Sequence, residues 1–196
     1  MKRALAGLAA AVAVVALLAG CTDTGGVAGT VGNGDQNYNS DDGAITEIAA
    51  ADRDAPVSFE SETTDGVAVA SDDYLGEVLV VNFWYAACPP CRVEAPDLQK
   101  LSQEFDGKGA TFLGVNVRDQ AETAENVEDE WGISYPSVID TNNGNMLLAF
   151  AGTVQPNAVP TTLVIDKQGR VAARILGQLT DPGILRTIIS DTSKED

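Results

Sequence analysis

Histidine is absent from the 196 residues. That removes imidazole metal sites, Ser-His-Asp and Cys-His nucleophile systems, and imidazole acid–base chemistry. Positive charge is scarce as well: 12 Lys and Arg stand against 29 Asp and Glu, a net charge of −17. No basic patch interrupts the acidity, so charge-driven binding to nucleic acid or anionic headgroups is not expected. The acidic surplus reads as solubility. Cysteines number three, and no internal repeat is evident. Chemistry must therefore run on thiols, carboxylates, hydroxyls or amines, and nothing calls for a metal or a cofactor. With 44% apolar residues, the length suits one domain with appendages.

The N-terminus supplies an address. Lys2 and Arg3 precede an unbroken apolar run from Ala4 to Gly20, the pattern of a secretory signal. An uncleaved membrane anchor is the alternative, although the run is marginal in length and rich in Ala and Gly. It ends in Leu18-Ala19-Gly20-Cys21, which resembles a bacterial lipobox, with Cys21 as the lipidated residue. Lipid on Cys21 would leave Cys88 and Cys91 as a pair. The Gly-, Asn- and Asp-rich stretch after Cys21 has almost nothing to bury and reads as a disordered tether. With the weak stretch that follows, it gives a root-mean-square reach of roughly 30 Å. The expected division is a leader over residues 1–20, a lipidated Cys and tether over 21–54, and a folded domain over 55–192.

Within that domain, Val57–Glu60 and Val67–Ala70 flank Asp65-Gly66, a hairpin signal. Glu77–Tyr85 is a continuous apolar run, as in a strand buried on both faces. A helix is expected over Pro89–Phe105, with proline tolerated in its first turn and Pro96 kinking it. Ala110–Val117 and Tyr135–Ile139 read as strands, Ala121–Trp131 and Asn145–Ala151 as helices. Thr161–Asp166 and Arg170–Leu176 form a second hairpin, and Asp181 caps a last helix over Pro182–Ile189. This order predicts an α/β domain with a central mixed sheet and helices on both faces.

Cys88 and Cys91 stand in FWYAACPPCRVEAP (Phe83–Pro96), where a buried strand gives way to a helix. A helix N-terminus stabilises a thiolate, the attacking species. Cys88, at the mouth, is expected to be the more exposed and nucleophilic sulfur, and Cys91 to resolve the mixed disulfide. Pro89 and Pro90 have no N–H to offer, so the Cys91 amide is the first that can reach the Cys88 sulfur. That predicts a moderate pKa depression and a rather reducing pair. A structural clip would gain little from so small a loop. A metal site would need further ligands. A peroxidatic cysteine would want Pro and Thr or Ser where Val81 and Tyr85 stand.

NFWYAACPPC resembles the active-site strand and loop of thioredoxin-like proteins. Together with the N-terminal hairpin and VPTTLVIDKQGRV (Val159–Val171), it is most similar to the membrane-anchored, extracytoplasmic TlpA and ResA branch. The resemblance runs from Ala55 to about Leu179, with an extra helix–strand unit inserted around 118–140. It implies that Pro160 is a cis-proline lying against the dithiol. It also implies that Val159 and Thr161 border the substrate, and that Trp84 is the aromatic beside the pair, though a core role for Trp84 stays open. Asn82 stands where thioredoxin carries a proton-accepting Asp and cannot titrate. Glu94, three residues past Cys91 and six past Cys88, matches the helix Glu of ResA-like proteins, and an ordinary surface Glu remains the alternative. Arg92 is expected to be solvated.

The function implied is thiol–disulfide exchange outside the cell, run as a lipid-anchored reductant with Cys88, Cys91, Glu94 and Pro160 as the catalytic set. The resemblance points to an apocytochrome c as the disulfide-bearing client and to a membrane electron donor of the CcdA/DsbD type. Two alternatives stay open: the same chemistry donating disulfides to secreted proteins, and a binding or metal-delivery lipoprotein without turnover.

Overall fold

The long apolar run becomes the centre of the sheet: every residue of Val78–Trp84 is buried. The computed structural model describes residues 44–155 and 158–195. The strands are β1 (Ile45–Glu47), β2 (Glu60–Glu62), β3 (Ala68–Ala70), β4 (Val78–Trp84), β5 (Ala110–Asn116), β6 (Ser137–Ile139), β7 (Thr161–Ile165) and β8 (Val171–Leu176). The helices are α1 (Pro89–Phe105), α2 (Ala121–Trp131), α3 (Asn145–Ala149) and α4 (Pro182–Thr192). The main sheet runs β1-β8-β7-β4-β5-β6, and β2 and β3 form a separate two-stranded sheet. β5 lies parallel to β4 and to β6, whereas β7 and β8 add antiparallel on the other side.

The period-2 alternation of a strand splits β4 between two cores. Val78 and Val80 join Leu98, Leu101 and Phe105 of α1 and Leu185, Ile188 and Ile189 of α4. Leu79, Val81 and Phe83 face the opposite core, with Met146 and Phe150. Continuing the count puts Asn82 and Trp84 on the α1 side. On α1 the buried positions are Cys91, Glu94, Ala95, Leu98, Leu101 and Phe105, the recurring three-and-four stripe of an amphipathic helix. Glu94 therefore belongs to the inward face. Pro96 does not interrupt the helix. It lies on the exposed side, one turn past the exposed Arg92 whose carbonyl it leaves without an N–H donor.

Two expectations need correction. The folded domain begins earlier than residue 55 and extends beyond 192. Residues 45–47 add a strand to the edge of β8. Arg53, whose side chain is 4% exposed, reaches Asp166 at 2.9 Å and also pairs with Glu195. An arginine buried against two carboxylates ties the segment before residue 55 to the chain end. The first hairpin strand also starts late, at Glu60. Val57 instead donates its N–H to the Gly169 carbonyl at 2.8 Å, docking that segment on the β7–β8 turn. The expected leader, Cys21 and the tether up to residue 43 lie outside the described residues. The inserted unit is α2 with β6, and it extends the sheet beyond β5.

Candidate active site

β4 ends at Trp84, and Cys88 caps the helix that follows. Pro89 and Pro90 hold its first two positions, so neither donates. The Cys91 N–H reaches the Cys88 sulfur at 3.2 Å, the one backbone donor to it among the described residues. Cys88 and Cys91 are joined as a disulfide, with Cα atoms 5.3 Å apart. The turn before Cys88 is pinned from the β5–α2 connection. Asp119 accepts the Ala86 N–H at 2.6 Å and the Asn116 side-chain amide at 3.0 Å. Val117 donates to the Trp84 carbonyl at 3.1 Å.

Both sulfur-bearing residues are buried, Cys88 at 1% and Cys91 at 2% exposure. The expectation that Cys88 is the exposed partner is thus corrected for the oxidised form. Its cover comes from Trp84, Ala124 and Ile139, with Tyr85, Ala121, Val127, Trp131 and Val159 around them. Much of that cover belongs to the inserted helix α2. The Trp84 ring lies 5.5 Å from Trp131, and its indole N–H donates to the Ser137 hydroxyl at 3.3 Å. Gly114 makes that meeting possible: a Cβ there would fall 2.0 Å from the Ser137 oxygen and 3.0 Å from the indole nitrogen. On the rim, the Arg118 guanidinium sits 4.0 Å from the Tyr85 ring centre. Arg92 pairs with Glu130 at 2.7 Å on the exposed surface, where such a pair contributes little.

The Val159–Pro160 peptide is cis, and Val159 packs against the dithiol cluster. The Pro160 carbonyl accepts from the Gly177 N–H at 2.9 Å. Thr161 is wholly buried, and its hydroxyl donates to the Ala158 carbonyl within the same turn. Its side chain therefore shapes the loop and offers no surface to a substrate. The fold thus gathers Cys88, Cys91, Trp84 and Val159, with Glu94 on the same helix face as Cys91.

Glu94 is 1% exposed. One carboxylate oxygen accepts from the Asn82 side-chain amide at 2.9 Å, the other from the Leu179 N–H at 2.7 Å. Burial pushes its pKa up to about 7, while the Leu179 and Asn82 hydrogen bonds hold it from rising further. Asn82 also donates to Thr162 at 3.1 Å. Sequence alone sets Asn82 aside as unable to titrate and misses its part as the partner of Glu94. The available signal is a polar amide inside a doubly buried strand, which must find a hydrogen bond. Ser137, Asp119 and the Leu179 amide escape the sequence as well, since nothing local marks them.

This geometry has known counterparts. The AhpC/TSA family model matches residues 52–174. The thiol-disulfide oxidoreductase ResA of Halalkalibacterium halodurans is 30% identical over 125 residues, covering 64% of this chain and 68% of that protein. The thiol:disulfide interchange protein HelX of Rhodobacter capsulatus is 33% identical over 163 residues, covering 83% and 88%. The crystal structure of a secreted thiol-disulfide isomerase from Corynebacterium glutamicum superposes with a TM-score of 0.71 at 31% identity, over 82% of this chain and 98% of that one. A dithiol at a helix mouth, in a fold shared with these relatives, carries out thiol–disulfide exchange, and the chain belongs to the AhpC/TSA family as a thioredoxin-like oxidoreductase of the ResA kind.

Proposed function

We propose that the protein is an extracytoplasmic, lipid-anchored reductant of client disulfides. The Cys88 thiolate attacks one sulfur of the client's disulfide and expels the other as a thiolate. The Cys91 thiolate then attacks the Cys88 sulfur and expels the client's second thiolate. The client gains two electrons and two protons, and Cys88–Cys91 is left oxidised. Glu94 takes the Cys91 proton, and a membrane donor of the CcdA/DsbD type returns the electrons. The backbone N–H and C=O of Val159, without partners among the described residues, would pair with an extended client segment. The resemblance to ResA-like proteins points to the haem-attachment cysteines of an apocytochrome c as the client.

The observation that carries the direction of flow is the lone amide at the Cys88 sulfur. Strong oxidants of this kind owe their power to a highly stabilised thiolate. A helix opening on two prolines withholds most of that stabilisation. Anchorage is supported by where the chain enters: Ile45 pairs with Ile175 and Ala44 accepts from Leu176, at the sheet end that carries the dithiol. A lipid on Cys21 would then hold that sheet end, and the dithiol with it, near a membrane donor.

The test is the reduction potential of the purified protein together with its redox state in cells. A potential nearer to thioredoxin, about −270 mV, and a pair held as dithiol support the reading. A potential near about −120 mV with a pair held oxidised would reverse the direction. That second reading, disulfide donation, draws on the likeness to the secreted isomerase. Cys91→Ser should trap the client on Cys88 as a mixed disulfide and identify it.

A further inference from the structure

Beside the dithiol, α2 borders an open groove of about 460 Å³. Glu125, Glu128 and Asp129 of α2 line it, together with Asp65 of the β2–β3 turn and with Ile133 and Pro136 from the segment leading into β6. The turn is held in place by Thr64, whose N–H donates to the Ser137 carbonyl at 2.9 Å. No Lys or Arg is among the lining residues. None of the four carboxylates forms an ion pair among the described residues, whereas neighbouring Glu130 is paired with Arg92. Glu128 is 8% exposed, and its Oε1 has no hydrogen-bond partner among the described residues. Burial raises its pKa, and the charges of Glu125 and Asp129 add to the rise. The negative charge of this surface is thus uncompensated from within, and a buried acceptor on it lacks a donor.

We propose that this groove is a docking site for a lysine- or arginine-bearing segment of the client, a few residues from the disulfide that the dithiol reduces. The inference rests on the exchange reading of Cys88 and Cys91. The chemistry of the groove selects its occupant. A metal ion needs converging ligands, and among the described residues no three His, Cys, Asp or Glu side chains come together as a metal site. A second copy of this chain, at a net charge of −17, would bring repulsion. A long basic side chain fits both parts of the lining: its methylene stem lies along Ile133 and Pro136, and its charged head meets the carboxylates. One helix ties the groove to the chemistry. Ala124 and Val127 of α2 pack in the dithiol cluster, while Glu125, Glu128 and Asp129 of the same helix line the groove. A helix with its side chains is about 10–12 Å across, so about four extended residues cross it. The expected client therefore carries basic residues about four or more positions from the cysteine that Cys88 attacks.

The test reacts the reduced protein with synthetic peptides closed by a disulfide, alike except for a short tail of lysine, serine or glutamate about five positions from the nearer cysteine. At low salt the lysine peptide should react about tenfold faster than the serine peptide, and the glutamate peptide more slowly than either. A groove variant carrying Asp65→Asn, Glu125→Gln and Asp129→Asn should reduce the lysine preference to about twofold or less. A charge-matched variant carrying Asp52→Asn, Asp72→Asn and Glu77→Gln changes exposed positions that do not line the groove, and it should keep the preference. Equal loss in the two variants, or no loss in the groove variant, would overturn the proposal. So would a dimer, or calorimetric binding of calcium ion, that only the groove variant loses, because a second copy or a metal ion would then be the occupant. If no peptide is reduced, the exchange reading falls. Calorimetry with the lysine peptide closed by a thioether still reads the groove: binding that the groove variant loses supports the docking surface, and absence of binding overturns it.

Discussion

Replacing Glu94 by glutamine should make the oxidised protein more stable at neutral and alkaline pH while impairing its chemistry. The folded state holds the Glu94 proton up to about pH 7, against an unfolded value of 4.5. Between those values the native state binds a proton that the unfolded state has released, so stability falls as pH rises. The stabilising contribution is fully present below pH 4.5 and is lost as pH passes about 7. The difference amounts to about 3 kcal/mol at 1.36 kcal/mol per pH unit. The Glu94→Gln side chain is neutral throughout. It keeps both hydrogen bonds if the Asn82 amide turns over, so that the Asn82 oxygen accepts from the new amide and from the Thr162 hydroxyl. Denaturant unfolding of the oxidised forms is the assay. The variant's advantage should be near zero in acid, grow through pH 5–7, and level off at about 3 kcal/mol less any imperfection in the new hydrogen bonds. In the reduced protein the same change should remove a pH dependence near neutrality from the resolution step. A Glu94→Gln protein no more stable than the parent at pH 8, with parallel pH profiles, would refute the assignment of a costly buried carboxylate.

Two further substitutions test the scaffold. Gly114→Ala should cost about 1–3 kcal/mol and shift Trp84 emission, because the new methyl must push the Ser137 oxygen or the indole aside; thermal unfolding and fluorescence read both effects. Arg53→Ala should cost about 3 kcal/mol by leaving buried Asp166 with Arg170 as its remaining cation. Limited proteolysis should then cut between β1 and β2, whereas an uncut, equally stable variant would show that residues 44–54 do not need the clamp.

The elements that the sequence makes plain are those whose signal is local. α1 and α2 span the expected Pro89–Phe105 and Ala121–Trp131, and β4 is unmistakable because a strand covered on both faces needs no alternation. The cysteine pair is readable for the same reason: strand, cap and helix follow one another along the chain. β1 is not readable, because three residues of ITE carry no pattern and acquire one only by pairing with β8, far along the chain. The burial of Cys88 is likewise hidden, since its cover comes from α2 and the cis-proline turn. The stripe on α1 marks Glu94 as inward-facing, but its two partners, Asn82 and the Leu179 amide, meet only in the fold.

The burial of the dithiol and the burial of Glu94 solve one problem. In the proposed exchange, Cys91 must give up a proton where water has been excluded. An ordinary thiol has a pKa of about 8.5. Passing its proton to a carboxylate at the ordinary value of 4.5 would be uphill by about 5 kcal/mol. For a thiol of that ordinary pKa, a carboxyl raised to about 7 by burial reduces the gap to about 2 kcal/mol, and any rise that burial imposes on the thiol widens it again. An exposed Glu at the same helical spacing would keep the larger barrier. The benefit therefore comes from the inward stripe of α1, which carries Glu94 and Cys91 on one buried face. The two hydrogen bonds set the balance. Without them the carboxyl would rise further and hold its proton at neutral pH, unable to accept another. With a third donor it would fall back toward the solvent value. Asn82 and Leu179 leave Glu94 divided between its two forms near neutrality, the condition that the proposed transfer from Cys91, and its return when the pair is reduced again, requires.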